Sequence, residues 1–456
     1  MVIRRFFAAI LLAAAAPAAF GQVPLSLADA LAGGRRGARE TVAAGARQRA
    51  AEARADQARG FRLPRIRLSE QWIRTDSPAD AFGLLLNQER FSFADFVAGD
   101  PNDPDALETA VTRLEVELPI WTGGEISTRV DQAELAAEAA ADRAGRAGDE
   151  AAVAAAEAWI RLAQAREAVA LLGKSRETVA AHVELARNYA AQGMLVRSEV
   201  LRAEVELARI DDLLAEADGQ ARIAEANLAF RLGEPQGTAY ELAPFGTPPA
   251  LTRDRDAWIA AAEAGREDLA SARRLLAAGE LEAKALRGAL LPRIGVVARH
   301  DRVDDQLFGG HGDSTTIAAL ASIDLWDGGR TRAAIAAAKA EAEAGRADVE
   351  RFSEGVRLEA RNAWENARVA VERRTTAAAA LAAAEETVRI VEDRFRAGVV
   401  KTTDLLDAAT AQREAEMREL VARAEAWLAT LRLALAAGES PESMLGGPAA
   451  AGSPNS

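Results

Sequence analysis

Apolar and polar residues alternate in four short segments of the chain, and this two-residue period predicts β-strands. In the clearest segment, apolar Leu114, Val116, Leu118 and Ile120 alternate with polar Arg113, Glu115 and Glu117. The four predicted strands are residues 63–75, 109–121, 292–303 and 315–326. A length of about ten residues suits a tilted strand with lipid on one face and water on the other, but a half-buried strand of a soluble sheet alternates identically. Four strands cannot close a barrel, and open edges are not tolerated in lipid, so a membrane barrel would need several chains.

The rest of the chain shows helical periodicity over long stretches. The predicted helices are residues 125–172, 177–232, 329–376 and 382–437. They are several times longer than the globular average of about 11 or 12 residues. Abundant Ala leaves a thin apolar stripe instead of the sustained Leu and Ile seams of a two-chain coiled coil. The pattern favours side-by-side packing of the helices in a wide helical cylinder.

An internal repeat organises the chain. Trp121 and Trp326 each precede a residue and a Gly-Gly pair, and they lie 205 residues apart. The same offset pairs Trp159 with Trp364, Gly193 with Gly398 and Gly233 with Gly438. Upstream, Leu63-Pro64 matches Leu291-Pro292 at an offset of 228, so the first half has 23 additional residues, placed in the loop-like segment Asp76–Asp105. We therefore divide the chain into two structural repeats, residues 22–233 and 234–438.

The two ends of the chain differ in composition from the repeats. Residues 1–21 are typical of a secretory signal peptide, with Arg4 and Arg5 before an apolar core and small residues at the expected cleavage site. A short transmembrane anchor is the alternative, but the apolar run is short and ends at Pro17. Residues 439–456 are rich in Gly, Pro, Ala and Ser, and we expect a disordered C-terminal tail.

Composition excludes several kinds of function. The net charge of −13 argues against a nucleic-acid partner, and the lack of Cys excludes disulfides and thiolate chemistry. The three histidines, His182, His300 and His311, have no metal-ligand spacing, and the sequence has no phosphate-binding Gly-rich loop. We therefore expect no enzyme activity, no catalytic residues, no metal and no other cofactor.

The repeated features together resemble the TolC-like outer membrane efflux proteins. The resemblance includes the opening segment 25–31, both Leu-Pro strand entries, both Trp-x-Gly-Gly strand exits and the duplicated Gly motifs at 187–193 and 394–398. It covers nearly all of the chain that follows the signal peptide. No single motif is specific to the family, but their order, spacing and duplication are.

The resemblance implies a mainly α fold with a β-barrel part. Three chains with four strands each would form a 12-stranded transmembrane β-barrel in the cell outer membrane, continued by a long α-helical barrel in the periplasm. The implied function is the exit duct of a tripartite efflux pump, which passively conducts substrates to the cell exterior. The implied partners are two further copies of the chain, outer membrane lipid, a periplasmic adaptor (membrane fusion) protein and, through the adaptor, an inner-membrane transporter.

The resemblance also assigns roles to particular residues. Asp404 and Asp407 match acidic residues that form rings at the periplasmic entrance, although a carboxylate pair at this spacing is otherwise ordinary solvated surface. The turns at Gly193 and Gly398 are the expected tip and adaptor-docking positions, and Ser198, Glu199 and Phe395 are the expected inter-helix gate contacts. Phe395 and Val400 stand where the best-known member of the family has a gate Tyr and its Arg partner, so the polar gate contacts of that member are not reproduced.

Trp121 and Trp326 stand at predicted strand ends, where membrane-interface aromatics occur. A buried Trp at a strand–helix junction is the alternative interpretation. Two other functions also remain open at this point: the outer-membrane component of a type I protein secretion system, and an envelope coiled-coil spacer without a pore. The amphipathic strand pairs in both repeats argue against the spacer.

Overall fold

The computed structural model describes residues 23–244, 246–397 and 399–445. The predicted signal peptide therefore lies outside the described residues, as do residues 446–456. Two compact units are formed from alternating segments of the chain. The first contains the described residues of Met1–Ala43, Gly145–Arg266 and Val356–Ser456, and the second contains Ala44–Ala144 and Glu267–Gly355.

The helices outside the inserted segment of the first half follow the internal repeat. The first repeat has α1 (Leu27–Gly37), α2 (Arg39–Gly60), α3 (Pro78–Asn87), α4 (Phe93–Ala98), α5 (Glu125–Ala191) and α6 (Arg197–Leu232). The second has α7 (Arg255–Gly265), α8 (Glu267–Gly288), α9 (Arg330–Arg396) and α10 (Thr402–Ala436). Both α5 and α9 have 67 residues, and they start 205 residues apart. In the described part of the chain, no helix is long and apolar enough to cross a membrane.

The long helices end later than the sequence predicted. The expected breaks after residues 172 and 376 are wrong, because α5 continues to Ala191 and α9 to Arg396. The expected helix starts at residues 177 and 382 are wrong for the same reason, because α6 begins at Arg197 and α10 at Thr402. Gly173 lies within α5, where a glycine weakens a helix without ending it. Thr375 and Thr376 lie within α9, where each hydroxyl donates a hydrogen bond of 3.1 Å to the backbone carbonyl four residues earlier. Neither site therefore has a strong helix stop.

The strands form two sheets. β1 (Val23–Leu25) pairs in parallel with β4 (Tyr240–Leu242), and this small sheet was not predicted. The larger sheet is antiparallel, with the strand order β2-β3-β5-β6. Its members are β2 (Arg65–Thr75), β3 (Leu107–Trp121), β5 (Arg293–Asp304) and β6 (Gly312–Ser322). The predicted extension of the last strand to residue 326 is wrong, because its partner β5 begins at Arg293, opposite Ser322, and leaves the following residues unpaired.

The main core lies in the first unit, around Trp159. This residue is 2% exposed and packs with Leu31, Ile160 and Leu428 in one buried cluster. Its indole N–H donates a hydrogen bond of 3.0 Å to the backbone carbonyl of Leu25, at the end of β1. The N-terminal strand is therefore held by a buried polar contact as well as by apolar packing.

The predicted disorder of the C-terminal tail is wrong for residues 439–445. Pro441–Leu445 form a 3₁₀ turn in which Pro441 is buried. Met444 and Leu445 pack against the core around Trp159, and the Glu442 carboxylate lies 2.9 Å from the Arg35 guanidinium. These apolar side chains provide enough burial to order a segment that its composition alone assigns to a loop.

Candidate functional site

The first candidate site is the pair of tip turns, which we define as residues 192–196 and 397–401. The N–H of Met194 donates to the carbonyl of Tyr189 at 2.9 Å, and the N–H of Val399 donates to the carbonyl of Arg394 at 3.0 Å. Both bonds span five residues, as in a Schellman helix end, and they lie 205 residues apart. Gly193 has a φ of +74°, while Gly398 lies outside the described residues.

Asp404 and Asp407 stand on the first two turns of α10, and both are exposed. The Asp404 carboxylate accepts a hydrogen bond of 2.9 Å from the backbone N–H of Lys401, so it caps the helix. Among the described residues, the Asp407 carboxylate has neither a hydrogen bond nor a salt bridge. Leu405 and Leu406, by contrast, are 4% and 7% exposed. The apolar side chains hold the start of α10, and the two carboxylates remain in water.

The first repeat carries a different pair at the equivalent positions. Glu199 and Arg202 stand 205 residues before Asp404 and Asp407, and their side chains lie 3.7 Å apart. The first two turns of α6 therefore have a net positive charge, from Arg197, Glu199 and Arg202, while the first two turns of α10 have a net negative charge. The two exposed aspartates are therefore a feature of the second repeat only.

The three expected gate contacts have different surroundings. Ser198 is exposed and makes no hydrogen bond within the described residues. Within the described residues, the Glu199 carboxylate pairs with Arg202 of its own helix. Phe395 is half-buried near the end of α9. Their assignment as gate contacts therefore stays a prediction, which would require a neighbouring chain.

Sequence reasoning missed the charged pairs that join the helices near the tip turns. Arg187 of α5 lies 2.7 Å from Glu204 of α6, and Arg176 lies 2.5 Å from Asp211. Arg413 of α10 lies 2.8 Å from Glu206 of α6. The first two pairs could have been found, because opposite charges equidistant from a hairpin turn face each other. The third joins two hairpins and has no such local signal.

His182 of α5 is half-buried, and its Nδ1 atom has no hydrogen-bond partner within the described residues. Burial lowers the pKa of His182, because the charged imidazolium would lose its hydration, and the nearby Glu392 carboxylate opposes this shift only partly. The unfolded chain therefore binds this proton more readily than the folded chain.

We expect acid to destabilise the helical hairpins through His182. The stabilising contribution is complete above the ordinary histidine pKa of about 6.5 and is lost as the pH falls through that value toward the lower folded pKa. Thermal denaturation at about pH 7.5 and about pH 5.5 would measure this dependence. A His182→Gln variant should show a smaller difference between the two pH values. The matched His311→Gln change, on an exposed turn, should leave this difference as it is in the wild type. An equal difference in stability between the two pH values in both variants would contradict the role of His182.

The second candidate site is the four-stranded sheet, in which two adjacent cross-strand rows on opposite faces differ in character. One cross-strand row contains Ile66, Val116, Ala298 and Ile317, in register across all four strands. Ile66 is 70% exposed and Ile317 is 74% exposed. Exposed aliphatic side chains in such a row need an apolar environment, which one chain by itself does not provide.

The adjacent row points to the other face and contains Arg67, Glu115, Arg299 and Thr316. The carboxylate of Glu115 lies 3.4 Å from the guanidinium of Arg299. On the same face, Arg113 and Asp301 form a two-bonded salt bridge of 2.7 and 3.0 Å. This face is suited to water. Apolar and charged rows on opposite faces are the arrangement of a sheet that separates lipid from an aqueous channel.

The aromatic residues lie at the strand ends. Trp121 is the last residue of β3 and is 41% exposed. Trp326 is 83% exposed and follows the end of β6 by four residues. The exposure of Trp326 argues against the buried-junction interpretation for this residue. The interface role of both residues stays a prediction.

The long segment between β2 and β3 is folded, although its composition suggested a plain loop. Its helices α3 and α4 are followed by a return to β3, and Phe82 packs edge-on against Phe91 with ring centroids 5.4 Å apart. The buried amide of Gln88 donates to the Thr109 hydroxyl at 2.7 Å. Arg90 forms salt bridges with Asp304 and Asp305. This segment is therefore attached to the β5–β6 turn.

Comparison with known proteins gives a consistent result. The family model described as "Outer membrane efflux protein" matches residues 37–234 and 258–439. Among curated proteins, the chain is 28% identical over 259 residues to the outer membrane efflux protein BepC of Brucella suis, which covers 55% of each chain. It is 26% identical over 297 residues to protein CyaE of Bordetella pertussis, which covers 64% of this chain and 62% of the relative. The chain thus spans less than two thirds of the length of these relatives.

Solved structures show the same fold over more of the chain. The outer membrane protein VceC of Vibrio cholerae matches with a TM-score of 0.72 and 18% identity, covering 91% of this chain and 96% of that structure. The MtrE outer membrane channel of Neisseria gonorrhoeae, solved in its open state, also matches with a TM-score of 0.72 and 18% identity, covering 91% and 89%.

Proposed function

Because this chain belongs to the outer membrane efflux protein family, we propose that it is the outer-membrane exit duct of a tripartite efflux pump. The family is one of efflux channels and not of enzymes. In the proposed role, the protein conducts substrates passively, and an inner-membrane transporter supplies the energy. A periplasmic adaptor protein connects the two, and the tip turns are its docking surface.

The two-faced sheet is the observation that carries this proposal. Its apolar row needs lipid and its charged row needs water, so the sheet is suited to a membrane boundary. Within the described chain, β2 and β6 are the edges of the sheet, and each lacks a partner on one side. Unpaired strand edges are very costly in lipid. Pairing of β6 with β2 of the next copy removes every edge, and a homotrimer closes the barrel.

The acidic start of α10 supports a role for the helical hairpins as the entrance. In a homotrimer, Asp404 and Asp407 would form two stacked rings of three carboxylates. Rings of carboxylates favour cations in a pore. Ser198, Glu199 and Phe395 would lie near the helices of adjacent copies and form the gate contacts.

Mass and conductance of the protein extracted from outer membranes test the proposal. We expect a trimer in detergent and a small, cation-selective conductance in planar bilayers. A monomer without conductance would contradict the duct and leave the envelope spacer as the better interpretation.

A pair of adjacent substitutions on β6 tests which face meets lipid. Ile317→Arg should strongly reduce insertion into the outer membrane, because an Arg on the lipid face costs about 2–4 kcal/mol at the bilayer midplane. Thr316→Arg introduces the same charge one residue away, on the opposite face, and should insert normally. Membrane fractionation measures both variants. Equal insertion of the two would contradict the assignment of the faces.

A further inference from the structure

The salt bridge between Arg413 of α10 and Glu206 of α6 is a buried charged pair close to the tip turns. The Arg413 side chain is 6% exposed, the Glu206 side chain is 18% exposed, and their nearest charged atoms lie 2.8 Å apart. Arg209 also lies beside Glu206, at 3.8 Å, but its side chain is 59% exposed. Arg413 is thus the partner that is removed from water together with Glu206.

Beyond Leu405 and Leu406 in its first turns, apolar packing defines the rotation of α10 against α6 poorly. Leu406 contacts a small cluster that contains Val179, Val183, Ala203 and Ile210. The other buried positions on this part of α10 include Ala408 and Ala415, and a surface of Ala side chains is nearly smooth. Small rotations or axial shifts of α10 would therefore change the packing energy little. The same movement would cost much more free energy at the ion pair, because a displaced partner leaves a buried charge uncompensated.

The helical geometry connects this pair to the acidic residues. Leu406 and Arg413 are seven residues apart, so at 3.6 residues per turn they lie on the same side of α10. Asp404 is nine residues before Arg413, or two and a half turns, and lies on the opposite side. A rotation that displaces Arg413 from Glu206 would turn Asp404 and Asp407 through the same angle.

We propose that the Arg413–Glu206 pair fixes the rotational and axial position of α10 against α6, and thereby the direction in which Asp404 and Asp407 point. Both residues are positioning residues. This inference rests on the proposed duct for its functional consequence, but the helix position itself is measurable without a pore.

Spin-label distances test the structural part. The chain has no Cys, so labels on Ala208→Cys of α6 and Ala411→Cys of α10 report only these two exposed sites. Arg413→Gln should broaden the distribution of the shortest label-to-label distance. It should also shift the mean of that distribution by about 1.5 Å or more, the rise of one helical residue. The exchanged variant with Glu206→Arg and Arg413→Glu should restore the original distance. Glu206→Asp, which keeps the charge and shortens the side chain, gives an intermediate shift and serves if Arg413→Gln does not fold.

Arg187→Gln is the matched control. It removes the same charge from a pair that joins α5 to α6, in which the Arg187 side chain is 51% exposed. It should leave the α6–α10 distance unchanged. An unchanged distance in Arg413→Gln and Glu206→Asp would overturn the proposal.

Bilayer recording tests the functional part. Arg413→Gln should lower the cation selectivity of the wild-type channel, and the exchanged variant should recover it. If the wild-type protein does not conduct, the duct is contradicted, while the spin-label distances still decide whether the pair positions α10. A shifted distance with unchanged selectivity would overturn the link to Asp404 and Asp407.

Discussion

Replacing Gly438 with Ala should lower the free energy of unfolding by about 2–5 kcal/mol, the sum of a left-handed backbone penalty and a steric clash. Gly438 follows the end of α10 with a φ of +68°. A Cβ atom at this position would lie 2.6 Å from the backbone carbon of Gly265, at the end of α7. The clash is with main chain and cannot be relieved by a change of rotamer. Thermal denaturation of the purified protein, followed by far-ultraviolet circular dichroism, measures the loss.

The internal repeat provides a second test of the same physics. Gly233, which is 205 residues earlier, has a φ of +72° and approaches the carbonyl of Gly37 in the same way. Gly233→Ala should therefore be about as destabilising as Gly438→Ala. Gly219→Ala is the control, because Gly219 lies within α6 and a Cβ there would have no neighbour within 4 Å. That change should stabilise the helix by about 0.5–1 kcal/mol. Similar changes in stability at all three glycines would show that the backbone approaches of Gly438 to Gly265 and of Gly233 to Gly37 are not tight.

The second large effect is expected at the acidic start of α10. In the proposed trimer, six carboxylates at a radius of about 10 Å would attract a cation on the pore axis by about 2.5 kcal/mol in water, and screening at about 0.1 M salt would reduce this to about 1 kcal/mol. Replacing Asp404 and Asp407 with Asn should therefore lower the cation preference by about fivefold. The permeability ratio from reversal potentials in a salt gradient measures the change.

The chemistry of Asp404 determines the choice of substitution. Its carboxylate caps α10 by accepting the Lys401 N–H, and Asn keeps an oxygen that can accept the same bond. The helix should therefore persist while the charge is lost. The control is the double change to Glu, which retains both charges and should retain selectivity. Unchanged selectivity after the change to Asn would contradict the assignment of Asp404 and Asp407 to acidic rings, but it would not contradict the fold.

The repeat and the strand pattern were readable from the sequence because both are local or periodic signals. The offset of 205 residues, found from Trp and Gly positions alone, also separates the starts of α5 and α9 and the equivalent tip-turn hydrogen bonds. The fold class, the outer-membrane location and the family predicted from these motifs are confirmed by the family match and by the structural neighbours.

The helix ends were less readable, since several glycines compete as stop signals. Gly173 and Gly193 look alike in the sequence, but α5 passes the first and ends before the second. At Gly193 a left-handed backbone accompanies a hydrogen bond from Met194 to Tyr189, and the chain then reverses into α6. The reversal is stabilised by packing of the two helices along their length, which no window around one glycine records.

The sequence by itself determined the duplicated order of strands and long helices, the family, and the acidic residues at the start of α10. The periods of 2 and 3.6 residues and the repeat can be recognised from the order of the residues alone, because they depend only on spacing along the chain. Tertiary structure alone decided that Arg413 pairs with Glu206, that Trp159 holds β1 through Leu25, and that residues 441–445 are ordered. Each of these contacts joins residues more than a hundred positions apart or depends on burial against a distant helix. Burial of apolar side chains is favourable by itself, whereas a buried polar or charged group is stable only when it meets its partner, and only the folded chain brings those partners together.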